Sequence, residues 1–219
     1  MCINFDFIKQ TKNIYIFLYI IILYTILSFI SNEFIITKDF IISSYKQKFT
    51  SEQIHRILSL RNSYGWISYV LQVILFALKA FFVAICISTG LLLADIKLSF
   101  KSLLKVVFIS EGVFLLYKSI RLLLIHYHDF SSLKKVTYFS PGSLLSIFNH
   151  ETFDKAFIYP LQVINIPQLV YFFVLAFGLT TILKNNYLKN LKIVFSSYGT
   201  GLVLWIVIVV FAQLYLLNG

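Results

Sequence analysis

The sequence predicts an all-α protein, a polytopic membrane helix bundle with five transmembrane helices. Hydrophobic residues make up 59% of the 219 residues and charged residues only 13%, whereas soluble proteins average about 25% charged residues. So few charges cannot cover the surface of a soluble domain of this size, so the surrounding medium must be lipid. The apolar residues also gather into five runs, which we expect to form one domain over residues 1–219. The predicted spans are residues 14–30, 67–94, 106–125, 167–183 and 198–217.

The first predicted span, residues 14–30, contains no charged side chain. Seventeen helical residues rise only about 26 Å, which is short for a hydrocarbon core of about 30 Å. We therefore expect flanking residues to enter the membrane or the bilayer to thin locally. No small-residue cleavage site follows the run, so we expect the span to be retained.

The connection after the first span contains a helix start signal. Thr50 and Gln53 stand at the first and fourth positions of a capping box, in which each side chain bonds the other residue's backbone N–H. We expect an amphipathic helix from here to residues 62–65, lying on the membrane surface or packed on the rim of the bundle.

The second and third predicted spans, 67–94 and 106–125, form a hairpin around the short basic turn 95–105. Polar and small residues of the second span recur at intervals of four and seven, which places them on one helix face. In lipid such a face meets other helices. The residues are Ser68, Gln72, Lys79, Cys86 and Gly90.

Charged side chains inside this hairpin are the best candidates for activity. Charge at membrane depth is expensive and marks protein interiors, wet cavities or headgroup contacts. Lys118 and Arg121 stand near the end of the third span and can extend to the headgroups, but the short side chain of Glu111 reaches water poorly. Lys79 and Glu111 are candidates for a proton relay or ion site if they meet. A straight hairpin separates them in depth by several ångströms, so structural polar contacts, or a pairing of Glu111 with Lys105 or Lys118, are the alternatives.

The second long connection covers residues 126–157, with a turn signal at Pro141-Gly142. A short apolar helix is expected at residues 143–148 and a short interfacial helix at residues 157–164. Asn165 followed by Pro167 predicts the start of the fourth span. Gly199 and Gly201 predict close helix approach at the start of the fifth.

The distribution of lysine predicts the orientation. The N-terminal segment, the turn 95–105 and residues 184–192 hold eight lysines in about 33 residues. The two long connections hold eight lysines and arginines over about twice that length. Short basic turns stay in the cytoplasm, which predicts the N-terminus inside and the C-terminus outside a bacterial inner membrane.

Catalytic and cofactor motifs are absent from the sequence. It has no nucleophile elbow, zinc-protease helix or P-loop. His126, His128 and Asp129 could ligate a metal, with His150, Glu151 and Asp154 in the same connection, but no recognisable ligand spacing follows. The formal net charge of +10 suits anionic lipid headgroups rather than nucleic acid, because no basic cluster stands on a polar face away from the apolar runs.

Four diffuse motifs resemble an uncharacterised family of bacterial inner-membrane proteins, over about residues 51–179. They are Ser51-Glu52-Gln53-Ile54, Ser110-Glu111 before Phe114-Leu115, Phe139-Ser140-Pro141-Gly142-Ser143-Leu144-Leu145, and Tyr159-Pro160-Leu161-Gln162 through Asn165. The five-span arrangement with the N-terminus inside also resembles Yip1-type membrane proteins. The resemblance implies a non-enzymatic protein that organises membranes or partners, and it assigns no site residue.

The predicted function is therefore a membrane scaffold or accessory protein that binds other membrane proteins and needs no cofactor. The alternative is a transporter or permease subunit that uses Lys79 and Glu111, with Gln72, Lys118 and Arg121 in the same polar site. A transporter needs polar residues from one face of the membrane to the other. The first, fourth and fifth predicted spans contain no Asp, Glu, Lys, Arg or His, which favours the scaffold.

Overall fold

The computed structural model describes residues 12–46, 49–128, 130, 132–148 and 155–218. These residues form helices and no named strand, so the predicted all-α class is confirmed. The helices are α1 (Asn13–Ile30), α2 (Lys38–Tyr45), α3 (Ser51–Leu93), α4 (Phe100–Ser110), α5 (Gly112–Tyr127), α6 (Leu133–Tyr138), α7 (Lys155–Val163), α8 (Ile166–Leu183), α9 (Tyr187–Val194) and α10 (Thr200–Asn218).

Within the described part of the chain, four helical segments are long and apolar enough to cross a membrane. They are Asn13–Ile35, Ser51–Leu93, Ile166–Leu183 and Tyr187–Leu216. The first of them extends α1 through a π-helical turn, Ser31–Ile35. The last joins α9 to α10 through a second π-helical turn, Phe195–Gly199.

Helix α3 begins at the predicted capping box but continues past the predicted end. The Thr50 side chain accepts from the Gln53 N–H, and the Gln53 side chain accepts from the Thr50 N–H at 3.0 Å. We expected residues 62–65 to end the helix, and that prediction is wrong. A helical glycine costs only about 1 kcal/mol relative to alanine, and no proline interrupts the segment, so one helix of 43 residues forms.

The predicted third span is interrupted in its middle. Ser99 caps α4 by accepting from the Ser102 N–H, so the helix begins six residues before the predicted start of the span. α4 ends at Ser110, Glu111 lies between the helices, and α5 starts at Gly112. Glycine is the weakest helix former after proline, and its position directly after Glu111 favours a break here.

The helix predicted as the fourth span begins as expected, and the helix predicted as the fifth span begins earlier. The Asn165 side chain accepts from the Gln168 N–H at 2.6 Å, with Pro167 in the first turn of α8. Lys189 and Lys192 were expected in a connecting loop, but they lie in α9. Only residues 184–186 connect α8 to α9, because Asn186 caps the new helix through the Leu188 N–H.

The short helices of the second connection are only partly as expected. The apolar segment 143–148 forms a single 3-10 turn, Leu144–Ser146, because Ser143 pairs instead with Asn165 as an isolated β-bridge. The expected turn is present, and Gly142 adopts φ +74°. The second expected helix is present as α7, which contains Pro160.

The helices enclose one apolar core, which we call the inner core. It lies between four helices. Two of them, α3 and α8, contribute their C-terminal halves, and the other two are α4 and α9. Its members are all at most 2% exposed: Ala80, Val83, Ala84, Ile87, Leu91, Leu103, Val107, Leu175, Ala176, Leu179 and Val194. Gly178 and Gly201 allow close packing around it, since a Cβ at Gly178 would lie 2.6 Å from Val106 Cγ1 and one at Gly201 would lie 2.5 Å from Cys86 Sγ.

Candidate functional site

An ion pair in the bundle interior joins Lys79 of α3 to Glu111 at the break between α4 and α5. The Lys79 Nζ lies 2.8 Å from Glu111 Oε2. The Glu111 side chain is 1% exposed and the Lys79 side chain 37% exposed. The carboxylate is therefore wholly enclosed by protein, whereas part of the lysine faces the outside of the bundle.

The start of α4 explains why the two side chains meet. Glu111 lies eleven residues after Phe100, about 16 Å along the helices. Lys79 lies fourteen residues before the end of α3 at Leu93, about 21 Å from the same end of the bundle. The long lysine side chain spans the remaining difference. The alternatives in which Glu111 pairs with Lys105 or Lys118 are therefore wrong.

Aromatic side chains complete what we call the central polar layer, which consists of Lys79, Glu111, Phe114 and Tyr171. The Tyr171 hydroxyl donates to Glu111 Oε1 at 2.8 Å, so both carboxylate oxygens have a donor. The Lys79 Nζ also lies 3.6 Å from the Phe114 ring centroid and 5.2 Å from that of Tyr171. Contacts between an ammonium group and aromatic faces contribute about 0.5–2 kcal/mol when shielded from water. The layer thus connects α3, α5 and α8.

A second polar layer lies two helical turns away, on the same faces of α3 and α5. It consists of Gln72, Lys118 and Ser28. The Lys118 Nζ donates to Ser28 Oγ at 2.6 Å, and the Ser28 hydroxyl donates to Gln72 Oε1. Within the part of the chain that the structure describes, no carboxylate contacts Lys118. This layer connects α1 to α3 and α5 through hydrogen bonds rather than an ion pair.

Arg121 contacts backbone carbonyls of a neighbouring segment. Its guanidinium donates to the carbonyl oxygens of Phe139 at 2.7 Å and Val136 at 2.9 Å. These carbonyls lie at the C-terminal end of α6, where a cation is favoured by the helix dipole. Lys118 likewise points inward to α1. Both side chains therefore find acceptors within the bundle.

The predicted polar face of α3 contacts neighbouring helices. Gln72 bonds α1 and Lys79 bonds Glu111. Cys86 packs on Gly201, and Gly90 packs on Ser197. Ser68 is the exception, because its hydroxyl donates to the carbonyl of Gly65 in its own helix.

Tyrosine hydroxyls are the part of the site that the sequence patterns did not predict. A count of acidic and basic residues in the fourth span overlooked Tyr171, which is fully buried. One turn earlier, Gln168 donates to the Tyr198 hydroxyl at 2.9 Å, and the Tyr171 and Tyr198 rings lie 5.8 Å apart. Gln168 and Tyr171, three residues apart in an apolar span, were the signal for a polar face on α8.

The histidine-rich connection provides no metal site among the described residues. His128 Nδ1 lies 3.0 Å from the Leu124 carbonyl oxygen, and His126 packs against Tyr127. No group of three potential ligands occurs in the described part of the chain. The other candidate ligands, Asp129, His150, Glu151 and Asp154, lie outside the described residues.

Chemically, the central polar layer can hold a fixed charge pair and can exchange protons only if water or another carrier reaches it. Towards the N-terminal end of α4, the inner core separates the layer from the end of the bundle. No protein-family model, curated protein or solved structure matches the chain.

Proposed function

We propose that the protein is a multi-pass inner-membrane protein without enzymatic activity that acts as a scaffold or accessory through its helices. The observation that carries this proposal is the filled interior. Lys79, Glu111 and Tyr171 satisfy one another, and the inner core packs beside them with side chains at most 2% exposed. A bundle whose core is filled beside its ion pair suits a protein that presents surfaces rather than a path.

The available surfaces are apolar helix faces. α10 exposes large hydrophobic side chains along its length, including Val203, Val207 and Phe211. α1 does the same through Leu18, Ile22 and other residues. Lipid covers such faces in the membrane, and partner helices can replace lipid there by close packing.

Purification of the tagged chain from native membranes in mild detergent tests this role. We expect a stoichiometric membrane-protein partner with the wild type. Tryptophan at one exposed face, Ile22→Trp on α1 or Val207→Trp on α10, should remove the partner while the other variant retains it. Leu78→Trp tests the exposed face of α3 in the same way. A chain that purifies alone would argue against the scaffold, and so would a partner that all three variants retain.

We also propose that α4 and α5 together make a fifth crossing, which would give the number of spans of the Yip1-type arrangement. Asn13 at the start of α1 donates to the Lys101 carbonyl, and Ser28 near its end accepts from Lys118. These contacts are separated by about 23 Å along α1 and about 26 Å along α4 and α5. The interrupted pair therefore runs beside α1 for most of its length.

Reporter fusions test the number of crossings and the orientation. A periplasm-active reporter should be active after Gly219 and inactive after Asn185, because five crossings with the N-terminus inside place these points on opposite sides. Fusion after Lys97 should be inactive and serves as the control. Four crossings from the same starting side would reverse the results at Asn185 and Gly219.

A transporter subunit is the second candidate, and the interrupted helix favours it. Transporters place their sites at interrupted helices. Glu111 lies between α4 and α5, with a right-handed helical backbone at φ −60° and ψ −17°. Proteoliposomes containing a pH-sensitive dye would show proton flux above that of empty vesicles, and Lys79→Met should change it. If the protein is a scaffold, the proton flux with the wild type and with Lys79→Met should both equal the flux of empty vesicles.

A further inference from the structure

A cavity of about 280 Å³ lies at the turn between α3 and α4. One side is an apolar wall formed by Leu91, Leu92, Ile96 and Leu98. Polar side chains complete the lining, namely Ser88, Lys97 and Ser99. The cavity thus combines an apolar surface with one cationic side chain at the end of a long apolar helix.

The backbone of this turn has a defined conformation. The Ile96 N–H donates to the Leu91 carbonyl at 2.9 Å, and the Asp95 N–H donates to the Leu92 carbonyl at 3.1 Å. Asp95 adopts the left-handed conformation, φ 55°, as is common where a helix ends. Ser99 then caps α4. The walls are therefore formed without a ligand.

The chain that follows α3 carries more lysine than acidic residues. Asp95 is the one acidic residue in the connection 95–105, against Lys97, Lys101 and Lys105. The side chain of Asn13 donates to the Lys101 carbonyl at 2.6 Å, which brings the start of α1, with Lys12, to the same end of the bundle. An anion is the ligand that this end attracts.

The position of the cavity indicates where such an anion comes from. Leu92, one residue before the end of α3, is 69% exposed, so the apolar wall continues into the lipid-facing surface. Lys97 lies just beyond the end of this candidate span, at the level where basic residues meet lipid headgroups. A soluble anion would use Lys97 but not the apolar wall.

We propose that this cavity binds an anionic phospholipid, with the phosphate at Lys97 and the upper part of an acyl chain on the apolar wall. The inference stands apart from the scaffold role, since it concerns the lipid neighbours of the chain rather than protein partners. It assigns the basic α3–α4 turn a specific ligand in addition to its expected effect on orientation.

Native mass spectrometry and thermal unfolding of the full chain in detergent test the proposal. Phosphatidylglycerol should bind and raise the unfolding temperature, whereas phosphatidylcholine with the same acyl chains should do so much less. Lys97→Gln should weaken phosphatidylglycerol binding about fivefold, as expected for one lysine near a headgroup. Leu92→Gln, at an exposed position, should weaken it too.

Lys189→Gln is the matched control, because Lys189 is an exposed lysine outside the cavity, and it should bind like the wild type. Equal loss in Lys97→Gln and Lys189→Gln would overturn the site in favour of general charge attraction. Equal binding of the two lipids would overturn the headgroup selectivity. Inorganic phosphate that displaces phosphatidylglycerol at millimolar concentration would identify a soluble-anion site and overturn the lipid as ligand.

Discussion

Lys79→Met is expected to destabilise the protein by about 3 to 5 kcal/mol, the range found when one partner of a buried ion pair is removed. The reason is the burial of Glu111, which is 1% exposed and would keep only the Tyr171 hydroxyl as a donor. Methionine keeps most of the volume of the lysine stem, so the loss reports the charge rather than a cavity. Denaturant unfolding in detergent measures the difference.

Lys118→Met is the matched control for this substitution. Lys118 is also a partly buried lysine facing neighbouring helices, but its acceptors are a hydroxyl and a carbonyl rather than a carboxylate. Its loss leaves no uncompensated charge among the described residues. We expect a change below about 1 kcal/mol, the scale of an ordinary hydrogen bond. Equal effects of the two substitutions would contradict a special role for the ion pair.

Gly178→Ala is expected to destabilise the protein by about 1 to 3 kcal/mol, the usual cost of overpacking. The new Cβ would lie 2.6 Å from Val106 Cγ1. Val106 is buried in α4, and a β-branched residue in a helix has essentially one side-chain rotamer. The clash must therefore separate α4 from α8. Thermal unfolding in detergent would show the loss.

Two further substitutions make this prediction specific. Val106→Ala combined with Gly178→Ala removes the clashing methyl group and should recover much of the stability. Gly65→Ala in α3 meets nothing within 4 Å, so it should stabilise the protein slightly through helix propensity alone. A Gly178→Ala protein as stable as Gly65→Ala would mean that α4 and α8 do not approach closely at this point.

Local signals in the sequence predicted the starts of α3 and α8, whereas the starts of α4 and α9 were missed. Thr50 with Gln53, and Asn165 with Pro167, specify caps through side chains next to the bonds they make. The end of a helix in an apolar chain depends more on packing. Residues 62–65 and 195–199 contain glycine or serine, yet the helices continue through them, because lipid and neighbouring helices favour a satisfied backbone.

The candidate site was predicted by its charges but not by its geometry. Lys79 and Glu111 were recognisable because charge is rare inside apolar runs. Their contact depends on where α4 begins, and Ser99 was not recognised as its cap. Glu111-Gly112 was the available sign of the break. Ser28 belongs to the second polar layer, and Phe114 and Tyr171 belong to the central polar layer. All three come from parts of the chain far from Lys79, and the periodicity of one span does not show which residues of other helices it contacts.

A double-mutant cycle on Lys79 and Glu111 tests most directly whether this ion pair holds the bundle interior together. The free energies of unfolding of Lys79→Met, Glu111→Gln and the double variant are measured in detergent against the wild type. We expect the double variant to lose less than the sum of the single losses, with a coupling energy of about 2 kcal/mol. Additive losses, with a coupling energy near zero, would show that the two side chains do not act together and would contradict a stabilising ion pair in the bundle interior.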